Sequence, residues 1–69
     1  MFNPNKFKGA VIANGMDMKE IAKDLGIHEA TLYRKINDGG NFTRKEIEDL
    51  MAVLCIEDPR EIFFTKQLA

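Results

Sequence analysis

Met18-Lys-Glu-Ile-Ala-Lys-Asp-Leu-Gly-Ile-His-Glu-Ala-Thr-Leu-Tyr-Arg-Lys-Ile-Asn37 is the stretch that decides the fold. Met18, Ile21, Ala22 and Leu25 recur at helical spacing behind Asp17, a good N-cap, so a helix is expected over Met18–Leu25. Gly26 stops it, because glycine adopts the left-handed conformation that a sharp helix end requires. Ile27 and His28 lead into a second helix, about Glu29 to Asn37, which Asp38-Gly39-Gly40 ends. Two short helices joined by a few residues around a glycine make a helix-turn-helix. Ala22 is small where the helices must approach closely. Ile21, Leu25, Ile27, Leu32 and Ile36 are spaced to share one core. That leaves His28, Glu29, Ala30, Tyr33, Arg34 and Asn37 for the outer face of the second helix.

Outward from this stretch the chain reads as further short helices. Asn3-Pro4 opens one, from about Asn5 to Ala13, with Phe7 and Val11 on one face; Asn14-Gly15 ends it. Thr43 and Glu46 have the spacing of a capping box, before a helix whose buried stripe is Ile47, Leu50, Met51 and Leu54. Asp58-Pro59-Arg60-Glu61 repeats an acidic cap followed by proline, and a fifth short helix is expected through Phe64. The fold class expected is therefore all-α: one domain of five short helices spanning 1–69, with a compact core over about 5–64 and a tail from 65.

Composition limits the function. A chain of 69 residues is one small domain, and with 45% apolar and 30% charged residues it is suited to a compact fold. Cys55 is the only cysteine and His28 the only histidine, so neither a disulfide nor a four-ligand metal site forms within the chain. Serine is absent, and no paired carboxylates, nucleophile–base set or phosphate-cradling loop appears, which argues against an enzyme. No cofactor and no small-molecule substrate are expected. The longest apolar run, Leu50 to Ile56, is far short of the ~20 residues of a spanning helix, so no membrane association is expected, and a reducing cytoplasm is the expected setting. Cys55 reads as a packing residue, His28 as a turn residue, and Met16, Met18 and Met51 as gap fillers.

The net charge is −1, but it is unevenly distributed: residues 1–45 carry +3 and residues 46–69 carry −4. Such asymmetry is compatible with a positive face on a nearly neutral chain and equally with the ordinary charges of solvated helix surfaces.

The segment MKEIAKDLGIHEATLYRKIN, above all its AKDLG block and the apolar spacing after it, resembles the helix-turn-helix of the phage repressor and Cro family. LCIEDPREIFF resembles the end of the same five-helix domain, so the resemblance covers about residues 6–64. It implies a bacterial regulator of a temperate-phage switch whose third helix enters the major groove of double-stranded operator DNA. Carried over, Arg34 is the expected guanine reader, Ala30 and Thr31 the small residues facing thymine methyls, and Tyr33 and Asn37 base or phosphate contacts, with His28 and Glu29 at the leading edge. Lys19, Lys35, Asn41, Thr43, Arg44 and Lys45 are the expected phosphate contacts. Lys35 stands where many relatives carry an apolar residue, leaving Ile36 alone in the core role. Glu29 is the departure with several readings: a favourable charge at the helix N-terminus, an acceptor for cytosine N4, or, since a carboxylate there also repels phosphates, a contact for a basic protein surface. The alternative is thus an antirepressor that binds the DNA-reading domain of a cognate phage repressor. Phe63, Phe64 and Leu68 are candidates for a homodimer or partner surface.

Overall fold

In the computed structural model, which describes residues 1–65, the chain forms four α-helices: α1 (Pro4–Ala13), α2 (Met18–Leu25), α3 (Glu29–Asn37) and α4 (Arg44–Val53). No strand occurs among the described residues. The helix starts follow the local chemistry. Asn3, Asp17 and Thr43 cap α1, α2 and α4 through side-chain oxygens, and the Thr43–Glu46 box closes in both directions. Each such cap contributes about 1 kcal/mol.

The helix ends share one geometry. After each, a residue with positive φ turns the chain, and the next amide reaches back five residues: Met16 to Val11 (3.0 Å), Ile27 to Ala22 (3.0 Å), Gly40 to Lys35 (2.9 Å) and Ile56 to Met51 (2.8 Å). The turning residue is glycine after α1, α2 and α3, but Cys55 after α4, at φ 55°. Cys55 is accordingly exposed and not the packing residue expected, because a side chain on that corner projects away from the helix it terminates.

The expected fifth helix is reduced to a single 3-10 turn, Pro59–Glu61. Asp58 caps it as read, accepting from the Arg60 amide and pairing with the Arg60 guanidinium at 2.8 Å. The turn stops there because Ile62 and Phe63 go into the core, at 4% and 5% exposure. Phe63 is thus no surface residue, a correction to its expected place in a partner surface. Phe64 is 56% exposed, and Leu68 lies outside the described residues.

The core joins two clusters. Ile21, Ala22, Leu32, Ile36, Leu50 and Leu54 are buried where α2 packs on α3 and on α4. Phe2, Phe7, Phe42 and Phe63 form an aromatic cluster with ring centroids 5.7–6.1 Å apart. Phe2 extends the core ahead of residue 5, where it was expected to begin. The segment that carries it is pinned by backbone bonds from Asn3 N–H to Ile62 O and from Thr65 N–H to Met1 O. Asn14 ties the end of α1 to the end of α4, its amide donating to the carbonyls of Ala10 (2.8 Å) and Leu54 (3.0 Å).

Candidate recognition face

The turn at Gly26 (φ 70°) sets α3 across α2, burying Leu32 and Ile36 at 0% and 4% exposure. Periodicity then turns the other side of α3 outward. His28, Glu29, Ala30, Tyr33, Arg34 and Asn37 are all exposed, and Thr31 is half-buried. Ala30, Tyr33, Arg34, Asn37 and Asp38 line one shallow hollow along this face. Arg34 stays close to its own helix, with its guanidinium 3.5 Å from Thr31 Oγ1.

Of the four helices, α3 alone lacks a side-chain cap, because its N-cap residue is His28. Its first-turn amides therefore keep their hydrogens free, and Glu29 supplies the favourable charge beside them. A groove at this end is lined by Lys19, Lys23 and His28 together with the carboxylates Glu20 and Glu29, over Ala22 and Ile27. Lys23 was not singled out in the sequence, although Lys19 and Lys23 at i, i+4 on α2 mark one basic face.

On the other flank, Asn41, Thr43, Arg44 and Lys45 lead into α4, and all four are exposed. The Thr43 oxygen accepts from the Glu46 amide at 3.1 Å, leaving its hydroxyl hydrogen to donate. Arg44 pairs with Glu48 at 3.4 Å, but with side chains 94% and 64% exposed the pair constrains little.

Lys35 stands apart from the other expected phosphate contacts. Its ammonium donates to Glu46 Oε1 at 3.2 Å, with the two side chains only 23% and 14% exposed. The same oxygen accepts the Thr43 amide at 2.8 Å. Partial burial pushes the Glu46 carboxyl up, but the Thr43 amide and the Lys35 ammonium outweigh it and hold the group below its ordinary value. With Lys35 neutralised by Glu46, the outward side of α3 keeps one cation, Arg34, between two carboxylates, Glu29 and Asp38. Neither carboxylate has an ion pair among the described residues. The face has positive shoulders and a mixed centre.

No group of side chains among the described residues is arranged to hold a metal ion. No described helix is long and apolar enough to cross a membrane. The chain matches no family model, no curated protein and no solved structure.

Proposed function

We propose that this chain is a transcription regulator of the phage repressor and Cro type, serving a lysis–lysogeny switch, and that it lays α3 in the major groove of operator DNA. One observation carries the reading. The helix is divided cleanly between a buried side (Leu32, Ile36) and an outward side of uncommitted polar groups, with cations on both shoulders. A groove reader needs this division, since bases must be met by side chains that the core does not use. In this reading Arg34 reads guanine, Ala30 admits a thymine methyl, and Tyr33 and Asn37 reach neighbouring bases. Lys19 and Lys23 meet phosphates on one side, and Asn41, Thr43, Arg44 and Lys45 on the other. Binding to a repeated half-site brings in a second copy, with the exposed Phe64 ring available to that contact.

The test is selection of duplexes from a random pool, followed by titration of the winner at several salt concentrations. Four phosphate-facing cations give a log–log salt slope of about −3.6 per copy, a loss on the order of a hundredfold between 50 and 200 mM. Absence of any selected duplex overturns the reading.

Glu29 and Asp38 favour a second reading, in which the same face covers the basic DNA-reading surface of a cognate repressor. Mixing the protein with repressor alone, operator alone and both together separates the two. A stoichiometric complex formed without DNA and weakened by Glu29→Lys supports the antirepressor role; an undiminished complex removes Glu29 from the interface.

A further inference from the structure

The shoulders and the centre of the face belong to different helices, and something must fix the angle between them. Phe42 anchors the linker in the aromatic cluster, but direct packing of α3 on α4 does little of this. α2 packs on both α3 and α4, whereas α3 and α4 have little contact with each other. The turn between them, Asp38 to Phe42, contains two consecutive glycines at φ 77° and 74°. Left to itself it is the most permissive joint beside the face.

Lys35 spans that joint twice. Its backbone carbonyl accepts from the amides of Gly40 (2.9 Å) and Asn41 (3.2 Å). Its ammonium crosses to Glu46, whose same oxygen caps the Thr43 amide at the start of α4. One residue of the reading helix thus holds both the linker and the helix after it. At 23% exposure, and already paired, that ammonium is poorly placed to meet a ligand.

We propose that Lys35 is a positioning residue: through Glu46 it sets Thr43, Arg44 and Lys45 against the outward face of α3, and it does not touch the bound backbone itself. This rests on the operator-DNA reading. The role differs from that of the other cations near the face, because its effect on binding passes through geometry and not through charge delivered to phosphate.

Two variants remove the ion pair from opposite ends. Lys35→Met keeps the aliphatic stem and the carbonyl bonds. Glu46→Gln keeps an oxygen for the Thr43 amide. Both are titrated against a duplex selected by the unaltered protein, at several salt concentrations and at a temperature where melting curves show every form folded. A positioning role predicts that each variant weakens binding by roughly three- to tenfold, that the double variant is no worse than either single one, and that the salt slope is unchanged. A phosphate-contacting Lys35 predicts the opposite pattern. Lys35→Met would flatten the slope by about 0.9, and Glu46→Gln, by freeing the ammonium, would tighten binding. That pattern, or affinities unchanged in both variants, overturns the proposal. Failure of the unaltered protein to select any duplex ends the operator reading instead, so the two failures are told apart.

Discussion

Single residues at this face carry unequal burdens. Arg34 is the one cation without an ion pair on the outward side of α3; on the proposed operator-DNA reading, Arg34→Ala should relax discrimination at one guanine by about 1–3 kcal/mol while affinity for other duplexes changes little. Titration of single-base operator variants checks this. His28 is the N-cap residue of α3 without a capping bond, and His28→Ser should raise stability by about 0.5–1 kcal/mol in urea unfolding. Cys55 holds a positive φ that costs a β-carbon-bearing residue about 1 kcal/mol, so Cys55→Gly should shift the same transition upward by a similar amount.

At the scale of elements, two glycines with similar φ have different sensitivities. A β-carbon at Gly26 would meet nothing within 4 Å, so Gly26→Ala should cost only the backbone conformation, about 1 kcal/mol. At Gly40 it would overlap Cβ and Cγ of Phe2, and the aromatic cluster would have to move. Gly40→Ala should therefore destabilise by several kcal/mol, on the order of losing a core aromatic, and the two melting temperatures should differ plainly. The joint between α3 and α4 also responds to pH. Because the Glu46 carboxyl is held below its ordinary value of 4.5 in the folded chain, its contribution is complete above that pH. It is lost as pH falls through the lower folded value. Asp58, held down by Arg60, shifts in the same direction. Acid titration followed by circular dichroism should show stability falling below about pH 4.5, and Glu46→Gln should flatten part of that fall.

For the molecule as a whole, what was legible in the sequence was what is local. Caps, helix stops and the apolar stripe of α2 and α3 are set by neighbours within four residues, and they appear where the pattern places them. The aromatic cluster was not legible. Phe2 and Phe42 sit in segments without periodicity, and the burial of Phe2 and partial burial of Phe42 depend on partners far along the chain. The same clustering drew Ile62 and Phe63 inward and cut the fifth helix to one turn. Lys35 read as a phosphate contact and Glu46 as the acid of a capping box; they lie eleven residues apart across a glycine turn, with nothing in their spacing to join them. Arg34, Tyr33 and Asn37 could be assigned to an outer face, because burying Leu32 and Ile36 leaves them nowhere else to go. Which occupant that face takes is a matter of charge, and pairing that only the tertiary structure shows changed that charge. Phe2→Ala should cost about 3–5 kcal/mol, measurable by urea unfolding, although the residue precedes every helix.

The corner at the end of α4 has a practical consequence. It displays the chain's single thiol to solvent, in a groove lined from α1, the end of α4 and residues 61 and 62, with no residue of α3 among them. A maleimide dye attached there would sit on one defined atom, away from the outward side of α3. Its rotational depolarisation would then report every association of the unmutated polypeptide, whichever macromolecule arrives.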